Sequence, residues 1–286
     1  MTLKILPPSF ILITGCSTGI GYHCALQLQK KGYHVIATCR KADGVQRLKA
    51  EGIDCFQLDL ACSESIQTAL KQILTHTHGR IDALFNNGAF GLPGAVEDLS
   101  RDAMMHQFQT NVFGTQELTN LIVPIMRQQG GGKIIYNSSI LGFAAMPYRG
   151  AYNASKFAIE GFADTLRLEV KQDNIQVSLI EPGPITSDFR KNAFAQFKQW
   201  IPIEHSVHKD NYHAMVERLE TVGPSAPFTL EPDAVTRCVV HALQKPNAKI
   251  RYRVTVPTIL FSVLKRLLPN RLLDLLLIKA GGDGKR

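Results

Sequence analysis

The chain of 286 residues lacks most of what would divide it or direct it elsewhere. No Pro-, Gly- or Ser-rich linker, internal repeat or low-complexity tract interrupts it, so residues 1–286 read as one large domain rather than two small ones. No Cys-x-x-Cys pair occurs among Cys16, Cys24, Cys39, Cys55, Cys62 and Cys238. Met1 to Pro8 is too short and too proline-interrupted for a signal segment, and the scattered cysteines read as reduced thiols of a cytoplasmic protein. No uninterrupted apolar run reaches the ~20 residues that a membrane-spanning helix needs. A basic stripe with interleaved aromatics is also missing. The formal charge of +8 therefore points to phosphates, other anionic ligands or a membrane surface rather than to nucleic acid. His205, His208 and His213 come without carboxylate or thiolate ligand spacing, and no metal site is expected.

What is present is an ordinary globular balance, 45% apolar and 20% charged, punctuated by two chemical signals. The first is Phe10-Ile11-Leu12-Ile13, an apolar run suited to a strand buried on both faces, followed by Thr14-Gly15-Cys16-Ser17-Thr18-Gly19-Ile20-Gly21 and a helical pattern from Tyr22 to Lys31. Strand, glycine-rich turn and helix place a pyrophosphate at a helix N-terminus, where free amides and the helix dipole favour negative charge. The spacing is Gly-x-x-x-Gly-x-Gly rather than the usual Gly-x-Gly-x-x-Gly. The second signal is Tyr152-Asn153-Ala154-Ser155-Lys156, which puts a phenol and an ammonium one helical turn apart on the same face. A neighbouring ammonium favours the phenolate, which would bring a group of ordinary pKa near ~10 toward working pH as a general acid/base.

Thr14-Gly-x-x-x-Gly-x-Gly21, Asn86-Asn87-Gly88-Ala89, Asn111, Ser139 and Tyr152-x-x-x-Lys156 occur in that order, with Ser139 thirteen residues before Tyr152. This set resembles the short-chain dehydrogenase/reductase family over Phe10 to about Thr255. Within it the chain is most similar to bacterial NADP-dependent aldehyde reductases and to steroid- and retinol-oxidising members. The resemblance implies a single α/β domain of Rossmann type, a doubly wound parallel sheet with helices on both faces. It also implies hydride transfer between a nicotinamide dinucleotide and an alcohol/carbonyl pair. Ser139 and Tyr152 would bind the carbonyl oxygen, Tyr152 would exchange the proton, Lys156 would hold the nicotinamide ribose, and Asn111 would help hold a water linked to the lysine.

The cofactor residues follow the same pattern. Gly15, Gly19, Ile20 and Gly21 would meet the pyrophosphate, and Ser17 or Thr18 would help bind the extra phosphate of NADP. Strand His34–Cys39 ends at Arg40-Lys41, which suits the extra phosphate of NADP better than NAD. Strand Asp54–Leu58 is followed by Asp59-Leu60 at the adenine edge, and strand Ile81–Phe85 by Asn87-Gly88. The family usually has Asn-Asn-Ala-Gly there, so the last two residues are exchanged. After strands Lys133–Asn137 and Gln176–Ile180, Pro182-Gly183 passes beneath the nicotinamide, and Thr186 or Ser187 would bind its carboxamide. The alternative readings are a hydroxysteroid or retinol dehydrogenase with the same site, and a catalytically silent dinucleotide sensor.

Residues 189–230 show no strand pattern and carry Phe189, Phe194, Phe197, Trp200 and Ile201, which suits a lid over a small apolar carbonyl or alcohol, or one packing on its own body. Pro232–Gln244 reads as a helix and Ile250–Thr255 as a final strand. From 257 to 286, leucine-rich blocks alternate with Lys265, Arg266, Arg271 and Lys279. Such a segment lies in a membrane interface, covers the cleft, or packs in a homo-oligomer.

Overall fold

The computed structural model describes residues 3–220 and 227–282. Positions 221–226 of the expected lid and 283–286 of the expected tail thus fall outside the described residues. Seven parallel strands among them, β1 Phe10–Ile13, β2 His34–Cys39, β3 Asp54–Gln57, β4 Ala83–Asn86, β5 Gly132–Asn137, β6 Ile175–Glu181 and β7 Arg251–Arg253, pair in the order β3-β2-β1-β4-β5-β6-β7. The α-helices are α1 Gly19–Lys30, α2 Ala42–Ala50, α3 Ser63–His76, α4 Arg101–Phe108, α5 Thr115–Gln128, α6 Gly150–Glu169, α7 Phe189–Trp200, α8 Lys209–Glu220, α9 Asp233–Gln244, α10 Val256–Leu267 and α11 Asn270–Ala280.

Successive side chains of a strand point to opposite faces, so an all-apolar strand needs cover on both. Ile11 and Ile13 pack with Leu28 of α1, Leu48 of α2 and Val239 of α9. Leu12, between them, packs with Ile73 of α3, Ile122 of α5 and Ile159 of α6. Each such fully buried Leu or Ile contributes about 1.5–3 kcal/mol. The result is the expected three-layer sandwich. The chain leaves β3 and returns past β1 to start β4, so the carboxyl ends of β1 and β4 flank the point where strand order reverses. Ligands of open parallel sheets bind there.

Several boundaries shift. Helix α1 begins at Gly19, three residues before the expected Tyr22, because the glycine turn runs directly into it. Ile81 and Asp82 precede β4 rather than opening it, and the Asp82 carboxylate accepts from the Phe10 amide at 2.8 Å. The final strand contracts from the expected Ile250–Thr255 to Arg251–Arg253. The expected lid supplies α7 and α8, with Phe197 and Tyr212 stacked edge-on at 5.2 Å.

Candidate active site

A cleft of about 1060 Å³ lies at the carboxyl ends of the central strands. Its floor is the glycine turn. Gly15 has φ +68°, and a Cβ there would come within 2.7 Å of Gly88 Cα. A Cβ on Gly21 would sit 2.4 Å from the Gly15 carbonyl oxygen. Side chains would therefore fill the cradle, which fits a group that must approach backbone closely, as a pyrophosphate does. Gly88 is equally confined, since Leu60 Cδ1 lies 2.9 Å from where its Cβ would stand. The exchanged Gly88-Ala89 pair thus makes room for Leu60.

Hydrogen bonds lock this floor to the rest of the site. The Thr14 hydroxyl oxygen accepts from the amides of Asn87 at 2.9 Å and Gly88 at 2.8 Å. The Asn87 side-chain amide donates to the carbonyls of Thr14 at 2.9 Å and Gly15 at 3.1 Å. The Asn137 amide donates to Asn87 Oδ1 at 3.0 Å, and the Asn137 carbonyl accepts from Lys156 Nζ at 2.6 Å. A continuous chain of polar contacts therefore runs from the glycine turn to the lysine. Sequence reading missed Asn137, whose only signal is its place at the end of β5, before Ser138-Ser139.

Tyr152 and Lys156 both lie on α6, as their spacing predicted, with Nζ 5.7 Å from the phenol ring centroid. Ser139 caps the short turn after β5, its hydroxyl accepting from the Leu141 amide at 3.1 Å and hydrogen-bonding the Tyr152 phenol. One expectation is corrected. Burial pushes the phenol's pKa above its ordinary value, only partly offset by Ser139, and the ammonium does not bring it down. Burial also lowers Lys156 to about 8, against the pull of Glu160 one turn further on. In this cleft desolvation outweighs the attraction between the two.

Asn111 lies on a π-helical stretch, Gln109–Gly114, the deformed helix implied for it. Its amide donates to the Phe90 carbonyl at 2.9 Å and to Ser155 Oγ at 3.1 Å, while its Oδ1 accepts from the Phe90 amide at 3.1 Å. The side chain thus ties the loop after β4 to α6, and it sits behind the cleft rather than lining it.

Of the expected cofactor residues, Gly15, Ser17, Thr18, Gly19, Ile20, Asn87, Gly88, Tyr152, Lys156, Pro182, Gly183, Thr186 and Ser187 line the cleft. Gly21 packs beneath it, and Leu60 is buried in the core. Arg40 and Lys41 stand exposed past the end of β2. Asp59 turns its carboxylate onto the Ala61 amide at 2.9 Å. None of these five lines the cleft. Sequence reading also missed Arg47 of α2, which donates to the Ser17 carbonyl and lies over the Tyr22 ring at 5.3 Å. Thr186 is engaged by the Glu231 carboxylate at 2.9 Å, whereas Ser187 rests against Gly19. Phe189 of the expected lid stacks edge-on against Tyr152 at 5.3 Å.

Behind the site lies a partly buried ion cluster, with Glu160 and Glu181 as its buried members. Arg251 Nη2 meets Glu160 Oε2 at 2.9 Å and Asp164 Oδ2 at 2.6 Å, and its Nε meets Glu181 Oε1 at 3.1 Å. Arg253 adds a 3.5 Å contact to Glu181. Burial, with Glu160 beside it, pushes Glu181 up to about 7. The folded state then holds a proton that the unfolded chain releases at lower pH. That contribution to stability is complete below the ordinary carboxylate pKa and is lost as pH rises through about 7. Glu181→Gln keeps the neutral form throughout. Its melting temperature, followed by circular dichroism from about pH 5 to about pH 8, should gain on the parent's as pH rises. A constant offset would mean that Glu181 is ionised in the fold throughout.

The short chain dehydrogenase family profile matches residues 9–198, and the chain belongs to that family. It is an oxidoreductase acting on CH–OH or carbonyl groups with a nicotinamide dinucleotide. The "uncharacterized oxidoreductase YbbO" of Escherichia coli K12 is 40% identical over 277 residues, spanning 97% of this chain and 96% of that protein. Retinol dehydrogenase 8 of Bos taurus is 33% identical over 279 residues, spanning 92% and 86%. In structure, a short-chain dehydrogenase/reductase from Burkholderia phymatum, solved in complex with NAD, superposes with a TM-score of 0.76 at 21% identity, covering 91% of this chain and 93% of that one.

Proposed function

We propose that the protein is a cytoplasmic, NADPH-dependent reductase of apolar aldehydes or ketones. The observation that carries this reading is the pair of hydroxyls, Ser139 on Tyr152, at the wall of a cleft whose floor is a glycine cradle. A bound nicotinamide supplies the hydride. Ser139 and Tyr152 hold the carbonyl oxygen, and the phenol, kept protonated by burial, gives up its proton as negative charge develops there. Lys156 supplies the positive charge that steadies the resulting phenolate and then returns a proton to it, and solvent reprotonates the lysine through the polar surroundings that Asn111 positions. Ser187 is the hydroxyl that takes the carboxamide, because Thr186 is held by Glu231. Residues 189–230 serve as the lid, with Phe189 as its contact to the catalytic ring.

Arg40 and Lys41 at the end of β2, with Ser17 across the turn, favour NADPH over NADH. Charge-assisted hydrogen bonds to a phosphate are worth roughly 1.5–3 kcal/mol. Arg40→Asp should therefore shift the ratio of kcat/KM for NADPH over NADH toward NADH by about tenfold or more. An unchanged ratio would move the phosphate contact to Lys41 or Arg47.

Apolar side chains exposed on α5 and α6, among them Leu121, Phe157, Phe162 and Leu168, support a homo-oligomer. Light scattering of the purified chain checks this. The α10–α11 pair adds peripheral membrane contact. Turnover of a panel of aldehydes, ketones, retinal and steroids with each cofactor tests the reading as a whole. Activity confined to steroid or retinoid alcohols with NAD would replace it with the dehydrogenase alternative.

A further inference from the structure

Helices α10 and α11 form a hairpin turned at Leu268-Pro269, and its two faces differ in chemistry. Inward, Phe261, Leu273 and Leu277 are buried against Ile140 and Ala144, in the segment that follows β5. Lys265 Nζ donates to the Phe143 carbonyl at 2.5 Å and lies 5.2 Å from the Phe157 ring. Outward, Val256, Leu260, Val263 and Leu267 recur at three- and four-residue spacing, which is a single helical stripe. These four are 47% to 73% exposed, and on α11 Leu272, Leu275, Leu276 and Ile278 are 40% to 64% exposed. Scattered exposed apolar side chains are normal in a soluble protein, but eight on two adjoining helices form a patch.

Charge says what covers that patch. Between 256 and 282 the sequence holds four cations, Lys265, Arg266, Arg271 and Lys279, against one carboxylate, Asp274, and the whole chain carries +8. Two copies of such a surface repel, whereas an anionic bilayer attracts both the cations and the leucines. No helix among the described residues is long and apolar enough to cross a membrane, so the contact is one that lies on the surface.

The same helices form one wall of the cleft. Val256, Pro257, Leu260 and Phe261 line it, as do Ala280 at the end of α11 and Gly281 just past it. Val256 and Leu260 belong to the exposed stripe as well, so the mouth of the cleft opens on the surface that lipid would cover.

We propose that the α10–α11 hairpin seats the protein on an anionic lipid surface with the cleft mouth against the bilayer, and that the substrate is a long-chain carbonyl dissolved in the membrane. The substrate half rests on the reductase reading; the docking half does not. The hairpin takes the leucine stripe into the headgroup boundary, about 5–10 Å deep. A lipophilic substrate then moves from bilayer to cleft without crossing water.

The test uses the full chain and the double variant Leu267→Gln/Leu275→Gln. Both positions are exposed, neither lines the cleft, and glutamine keeps the charge and the helix propensity. The parent should float with vesicles of phosphatidylcholine plus phosphatidylglycerol and much less with phosphatidylcholine alone. High salt should weaken binding, since screening shortens the reach of charge to about 3 Å at 1 M. The double variant should lose about tenfold or more of this binding. With NADPH, it should lose a similar factor in turnover of hexadecanal carried in anionic vesicles, while turnover of hexanal in buffer stays within about twofold of the parent.

A parent that does not float, or a variant that floats as well as the parent, overturns the docking. A lipid-free parent oligomer that the double substitution dissociates also overturns it, and makes the patch an interface between copies. Equal loss on hexanal and hexadecanal overturns the membrane route for substrate. A parent that floats yet reduces neither aldehyde sustains the docking and sinks the reductase reading.

Discussion

Tyr152→Phe is expected to lower carbonyl turnover by about 10²–10⁴-fold, the range that a positioned general acid supplies, with NADPH affinity close to that of the parent. The substitution removes one oxygen. The ring keeps its edge-on contact with Phe189, and Ser139 keeps its bond from the Leu141 amide. What disappears is the phenol placed to donate a proton beside Ser139. Stopped-flow cofactor binding and steady-state kinetics measure the two quantities separately. Turnover within a few-fold of the parent would remove Tyr152 from the mechanism, whatever the substrate.

Lys156→Met should lose turnover by a comparable factor and also weaken cofactor binding, because in the proposed mechanism the buried cation serves both. Its second signature is in stability. A base whose pKa is depressed to about 8 gives up its proton in the fold while the unfolded chain keeps one until near its ordinary value. Between those limits the unfolded state binds more protons, so the lysine makes stability rise with pH. Lys133 is also lowered to about 8 by burial, with its ammonium on the carbonyls of Ala242 and Lys245, and makes the same contribution. Denaturant unfolding from about pH 7 to about pH 10 should therefore show a rise in the parent that is reduced, not abolished, in the Met variant. In the parent, reduction should also slacken as pH passes about 8 and the lysine discharges. Identical stability profiles would mean that Lys156 is not titrating in the fold.

Much of this was legible because it is local. Continuous apolar runs such as His34–Cys39 announce strands covered on both faces, and the structure places that one at those residues. The glycine turn and the Tyr-Lys spacing likewise act over one or two helical turns. What sequence left dark depends on contacts across many residues. Glu160, Asp164, Glu181, Arg251 and Arg253 come from three elements, and no spacing marks them as one cluster. Asn137 and Arg47 gain meaning only when β5 and α2 are set beside the glycine turn. The phenol's direction of shift was misjudged for the same reason. Its lysine neighbour is visible in the sequence, while the burial that outweighs it is a property of the assembled cleft. The tail offered three readings at once, and its inward face on Ile140 and Ala144 could only be seen folded.

The lysine that anchors the polar chain carries one more implication, for the lifetime of the catalyst. An amine that sheds its proton near pH 8 is a nucleophile, and an aldehyde brought into the same cleft is an electrophile. Left to wander, the two condense to an imine and the enzyme consumes itself. The 2.6 Å bond to the Asn137 carbonyl tethers the nitrogen. The tether that aligns the site therefore also guards it against the aldehydes of the proposed reaction, and it weakens as the amine discharges. Ageing in the presence of aldehyde should quicken on the alkaline side, where the amine is neutral.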